Sequence, residues 1–155
     1  MNAQLTQIAP IHVVMMRHVG SYDDVGPVFD TLWNWCEANR VPTSRTIGIY
    51  YDNPDFTPVN QLRAAACFEV PYGYQAPNTG GLAITVEDIP GGAFATTRFV
   101  GPYEKLAPVW QELTNYVERT LGKQISENPA FEVYVNDASE TPPNQLITEL
   151  YMPVV

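Results

Sequence analysis

An α+β fold built from two copies of a strand–helix–strand–strand unit is what this chain predicts, and three observations predict it. The first is a repeated stretch. Arg17-His-Val-Gly-Ser-Tyr-Asp-Asp-Val-Gly-Pro-Val-Phe-Asp-Thr-Leu-Trp-Asn-Trp-Cys-Glu37 returns as Arg98-Phe-Val-Gly-Pro-Tyr-Glu-Lys-Leu-Ala-Pro-Val-Trp-Gln-Glu-Leu-Thr-Asn-Tyr-Val-Glu118. Arg17, Val19, Gly20, Tyr22, Pro27, Val28, Leu32, Asn34 and Glu37 each meet an identical residue, and Phe29/Trp110 and Trp35/Tyr116 are aromatic pairs. The second is that a strand-like run precedes each copy and two more follow it. The third is that only two copies occur, which implies a pseudo-two-fold arrangement rather than a solenoid, since a solenoid needs more repeats to bury its faces.

The first strand runs through Leu5-Thr-Gln-Ile-Ala-Pro-Ile-His-Val-Val-Met-Met-Arg-His-Val19 and breaks at Pro10, because proline cannot donate to a sheet ladder. Its counterpart, Ile84 to Val100, breaks at Pro90-Gly91-Gly92. Gly20 and Gly101 close these strands. Helices follow, with Val25, Val28, Phe29, Leu32 and Cys36 at helical spacing in the first copy and Leu106, Val109, Trp110, Leu113 and Val117 in the second. Pro27 and Pro108 suit a first helical turn, so either the regular helix begins beside them after a short turn or its first turn is kinked. Asn39 and Gly122 are stop signals. Two further strands close each copy: Thr46–Tyr51 and Ala64–Val70, then Phe131–Val135 and Leu146–Met152. The predicted repeats are about 3–72 and 83–154, joined by a turn-rich linker over 73–82, and together they make one domain over 1–155. A helix after the first strand and a hairpin after the helix put both helices on one face of an antiparallel-rich sheet. They are expected to flank a central groove, a common place for a ligand pocket.

Composition narrows the partners. A chain of 155 residues with 45% hydrophobic content can bury a sizeable core, and no apolar run approaches a membrane span. Met1-Asn-Ala-Gln-Leu-Thr lacks a basic region followed by an apolar one, so cytoplasmic localisation is expected, without membrane association. The formal charge of -9, with eight dispersed Lys and Arg, opposes contact with phosphates and excludes direct nucleic-acid binding. Cationic ligands or a basic protein surface fit better. Cys36 and Cys67 read as buried, reduced thiols. His12 and His18 have no neighbours at ligand spacing, so neither a metal nor another cofactor is expected.

The chemistry-bearing residues are few. Glu149 lies in Leu146-Ile-Thr-Glu-Leu-Tyr-Met, where period-two alternation groups Ile147, Glu149 and Tyr151 against Thr148, Leu150 and Met152. Both faces are largely apolar, and a carboxylate between covered faces is costly unless satisfied. Either it faces a pocket, or it points to solvent, or it pairs with Arg17 or Arg98. Its duplicated position in the first copy is Cys67, not a carboxylate. Tyr51, Trp110, Tyr134 and Trp33 are candidate aromatic walls; Trp110 sits at core spacing, and Trp33 falls off the apolar stripe. Tyr134 and Glu132 share one strand face. Glu69 is a candidate second carboxylate, or else a solvated strand end.

At these residues the chain resembles the GyrI-like family. This comprises the DNA gyrase inhibitor proteins and the effector-binding domains of AraC- and MerR-type multidrug-responsive regulators. Tyr50-Tyr-Asp-Asn-Pro-Asp-Phe-Thr-Pro, Leu62-Arg63 and Val70-Pro71 resemble the stand-alone gyrase inhibitor branch; Phe131-Glu-Val-Tyr-Val-Asn and Thr148-Glu-Leu-Tyr-Met-Pro resemble the family's closing strands. The resemblance implies a groove for bulky, often cationic, aromatic compounds, with Glu149 as the glutamate that neutralises the ligand's charge. It also implies protection against toxins and DNA gyrase as a protein partner. The alternative it offers is a hydrolase of cyclopropane-bearing toxins that uses the same glutamate. The chain shows no helix-turn-helix segment beside this domain, so a stand-alone binder is expected rather than a transcription factor.

Overall fold

The computed structural model describes residues 1–155. The fold is α+β, with antiparallel strands and two helices. In chain order the elements are β1 (Ala3–Ile8), β2 (Ile11–Val19), α1 (Gly26–Ala38), β3 (Thr46–Tyr50), β4 (Arg63–Glu69), β5 (Ile84–Ile89), β6 (Gly92–Val100), α2 (Leu106–Asn115), β7 (Ala130–Tyr134) and β8 (Ile147–Pro153). No helix is long and apolar enough to cross a membrane.

The chain divides into two compact units. The first spans Ile11–Ile89; the second joins Met1–Pro10 to Pro90–Val155. This differs from the predicted boundaries at 3–72 and 83–154. Strand β5 pairs with β2, so residues 73–82 lie inside the first unit rather than joining the halves. Strand β1 pairs with β6, from Ala3 opposite Thr97 to Ile8 opposite Gly92, so the first ten residues belong to the second unit. Proline at 10 and at 90 ends a ladder in each case, and the chain leaves one unit for the other there.

The strand order is β5-β2-β4-β3 in the first unit and β1-β6-β8-β7 in the second. The same internal hydrogen bonds recur. Gly20 N donates to Leu62 O at 2.7 Å, and Gly101 N to Leu146 O at 2.8 Å. Tyr51 N donates to Arg63 O at 3.1 Å, and Val135 N to Ile147 O at 3.0 Å. Leu62 therefore matches Leu146, and Ala65 matches Glu149. The position equivalent to Glu149 is Ala65, two residues before Cys67, because the connector ahead of each last strand fixes the register from its other end.

A single 3-10 turn precedes each helix, at Tyr22–Asp24 and Tyr103–Lys105, and the α-helices then start beside Pro27 and two residues before Pro108. The prolines sit where a missing N–H costs nothing. Helix α1 buries Leu32, Trp35 and Cys36 against Val14, Ala66, Phe68, Val70 and Ile84. Helix α2 buries Leu106 and Leu113 and runs into a π turn over Tyr116–Thr120, which adds Val117. These pack on Ala95, Leu150, Met152 and Val154. Both cysteines are buried free thiols, and burial pushes Cys36 up to about 11 and Cys67 up as well.

Gly91, between β5 and β6, sits tight against the end of β1 and the residues after it. A Cβ there would stand 2.5 Å from Ile8 O, 2.7 Å from Pro10 N and 2.8 Å from Ala9 C, all backbone atoms with little freedom to retreat. Gly91→Ala is expected to cost about 1–3 kcal/mol in urea denaturation. Gly26→Ala, at a helix start with nothing within 4 Å, changes stability by less than about 0.5 kcal/mol.

Candidate functional site

The site follows from which side of the second unit's sheet each residue takes. Directly paired residues in an antiparallel ladder share a face. Glu132 pairs with Leu150, which also pairs with Thr97; Tyr134 pairs with Thr148, which also pairs with Phe99. Leu150 and Phe99 pack against the α2 cluster, so Glu132, Tyr134 and Thr148 all lie on the side that α2 covers.

Glu132 is only 5% exposed. The indole of Trp110, from α2, lies near enough to its carboxyl to favour the charged form. Glu132 Oε2 has no partner, and neither does Thr148 Oγ1, whose residue is fully buried on the same face. Burial disfavours the charged form and raises Glu132 from the ordinary 4.5 to about 8; Trp110 pulls the other way and is the smaller effect. The acid is thus mostly neutral at pH 7. Tyr103 and Tyr134 bring their rings to 5.4 Å, tilted by 60°. Burial raises the Tyr103 phenol, and proximity to Glu132 adds to that shift.

This arrangement can do two things chemically. A neutral carboxyl can donate a hydrogen bond within apolar surroundings. An arriving cation restores the ionised form, and the aromatic faces attract that cation by about 0.5–2 kcal/mol per ring.

Of the residues expected from the sequence, Trp110 and Tyr134 come together here. Glu149 lies on the opposite face of β8, paired with Val133 and Arg98, and its carboxylate accepts from Arg98 Nη2 at 2.8 Å. This is the arginine pairing left open above. Glu69 is held by Arg45, with Nε at 2.6 Å, and by Ser44 Oγ at 3.0 Å; Arg45 keeps its carboxyl below the usual range. Tyr51 lies in the first unit with the Arg63 guanidinium 5.5 Å from its ring, beside Arg17, which pairs with Glu87 at 2.7 Å. Trp33 is 41% exposed on α1, with its ring 5.2 Å from Phe68. Sequence reasoning did not single out Glu132, Tyr103 and Thr148. The one usable signal was the shared face of Glu132 and Tyr134; nothing local said that α2 covers it.

The raised acid makes stability depend on pH. Between pH 4.5 and 8 the folded chain keeps a proton on Glu132 that the unfolded chain gives up, so this group's contribution to stability falls as pH rises and levels off above 8. Urea denaturation at pH 5, 7 and 9 is expected to show Glu132→Gln close to wild type at pH 5. At pH 9 the variant should be more stable by on the order of 3–5 kcal/mol, at about 1.4 kcal/mol per unit.

The family model described as the GyrI-like small molecule binding domain matches residues 1–155. A protein of Citrobacter koseri named DNA gyrase inhibitor is 32% identical over 146 residues, covering 89% of this chain and 92% of that protein. The crystal structure of the EcmrR C-terminal domain superposes with a TM-score of 0.78 at 21% identity, over 99% of this chain and 97% of that one. The structure of SAV2435 bound to tetraphenylphosphonium does so with a TM-score of 0.59 at 17% identity, over 100% and 94%. Likeness at these identities shows a shared fold; the family match covers the full length. This chain belongs to the GyrI-like small molecule binding domain family.

Proposed function

We propose that the chain binds bulky aromatic compounds carrying a positive charge on the α2 side of its second unit. Glu132 would serve as counter-charge, with Trp110, Tyr103 and Tyr134 as walls. One observation carries this reading: a carboxyl 5% exposed, with Oε2 unpaired and an unpaired Thr148 hydroxyl buried on the same sheet face. Polar groups buried in this way cost stability, about 1–3 kcal/mol each. A ligand that satisfies them gives the cost a purpose. Glu132 takes the role that the sequence had suggested for Glu149, whose carboxylate is already met by Arg98.

The solved neighbour that holds tetraphenylphosphonium supports a ligand of this kind, and the names of the curated relatives support DNA gyrase as a protein partner. Binding of toxic aromatic cations would then protect by sequestration. The relatives named as inhibitors favour binding over hydrolysis, so no catalytic step is assigned to Glu132.

A cation that binds beside Glu132 favours its ionised form, so binding below pH 8 expels the proton. Affinity for tetraphenylphosphonium should rise by up to about tenfold per pH unit towards pH 8 and then level off. Isothermal titration calorimetry in two buffers of different ionisation enthalpy measures both the affinity and the released proton. Glu132→Gln is expected to weaken the cation by about tenfold or more and to abolish proton release, while an uncharged aromatic of similar size binds both forms alike. Equal cation affinity in wild type and Glu132→Gln would remove Glu132 from the site.

A further inference from the structure

The connector between β3 and β4 presents an aromatic side chain that the ligand site does not use. Phe56 is 85% exposed and Val59, three residues on, is 61% exposed. Neither contributes much to a core, yet the segment that carries them is pinned throughout. At its base Asp52 accepts from Arg63 N at 2.8 Å, Arg63 Nε at 3.1 Å and Arg63 Nη2 at 2.9 Å. Tyr22 Oη accepts from Asp52 N at 3.0 Å and lies 2.9 Å from Arg63 O. At its tip Asn53 O accepts from Phe56 N and Thr57 N, both at 3.0 Å, and Asn53 Oδ1 from Asp55 N at 2.9 Å. Pro54 and Pro58 fix two further φ angles. The equivalent connector of the second unit, over 135–146, is also turn-rich but holds no aromatic residue.

A rigid backbone that holds an apolar ring in water has a low ordering cost on association, and aromatic anchors dominate protein interfaces. The surroundings define the partner's chemistry. Asp55 adjoins Phe56, and the exposed Asp23 and Asp24 follow Tyr22, whose hydroxyl is bonded to the connector's base. With a net charge of -9 these acids repel anionic membranes and nucleic acid and attract a basic protein surface.

We propose that Phe56 and Val59, with the adjoining Asp55 and the exposed Asp23 and Asp24 of the turn that Tyr22 ties to the connector's base, are the docking point for a protein partner that offers an apolar pocket rimmed by Lys and Arg. The inference rests on the reading that DNA gyrase is that partner, and adds where it is gripped. The test measures binding of the whole chain to immobilised DNA gyrase, and inhibition of supercoiling, for wild type, Phe56→Ser, Phe56→Leu and the triple variant Asp23→Asn, Asp24→Asn, Asp55→Asn. Phe56→Ser should weaken binding by about tenfold or more, Phe56→Leu should restore most of it, and the triple variant should slow association and flatten its salt dependence. Thermal unfolding and tetraphenylphosphonium binding should match wild type in all of them, since none of these residues touches Glu132 or the core. Wild-type and Phe56→Ser binding gyrase equally would overturn the docking point and leave the partner standing. No gyrase binding by the wild type would overturn both, while leaving the small-molecule reading to its own titration.

Discussion

Desolvation of one carboxyl is the constraint on which this account depends. Glu132 sits on β7 under α2, where water would stabilise its charge and is largely kept out. Everything that holds it there is structural. The β7–β8 register puts it opposite Leu150, α2 lays Trp110 against it, and the apolar cluster of Leu106, Leu113, Val117 and Met152 fixes α2 on the sheet. An isolated carboxyl in such a place costs stability. A second unpaired polar atom, Thr148 Oγ1, is buried on the same face, and a ligand would complete the set.

The two units share a frame and differ in what it carries. The same glycine-to-leucine hydrogen bond closes each, and a helix covers the same side of each sheet. By that correspondence, Gly48 occupies the place of Glu132 and Ala64 that of Thr148. Small residues let α1 and its aromatics approach the first sheet, where Phe29 and Trp33 reach Phe68. Larger and polar residues give the second unit its acid. In the first unit the charges near the strand ends are used structurally: Arg63 ties down Asp52, Arg17 meets Glu87 and Arg45 meets Glu69. Such pairs contribute modestly to stability because they are part-exposed and screened, but they hold the ends of strands and connectors in place.

How much of this was legible in the sequence depended on how local the cause was. Helix starts at Pro27 and Pro108, strand breaks at Pro10 and Pro90, and the closing strands were legible because backbone chemistry sets them within a few residues. The exchange of β1 and β5 was not, because both follow the repeat and only the pairing partner tells them apart. Glu149 looked buried because Ile147 and Tyr151 share its face. The structure pairs it instead with Arg98, about fifty residues earlier in the chain, through a register fixed at Gly101 and Leu146. Glu132 alternates with Phe131 and Val133, a pattern that ordinarily puts the acid in water. Its burial comes from the cover that α2 provides, which no period-two reading of β7 contains.

Infrared difference spectroscopy of wild type against Glu132→Gln tests the central claim most directly, because a protonated carboxyl shows a carbonyl stretch that a carboxylate lacks. The account predicts such a band at pH 6 to 7 in the wild type alone, disappearing as pH passes about 8, and disappearing at pH 7 when tetraphenylphosphonium binds. A Glu132 already ionised at pH 6, with spectra unmoved by the cation, would contradict it.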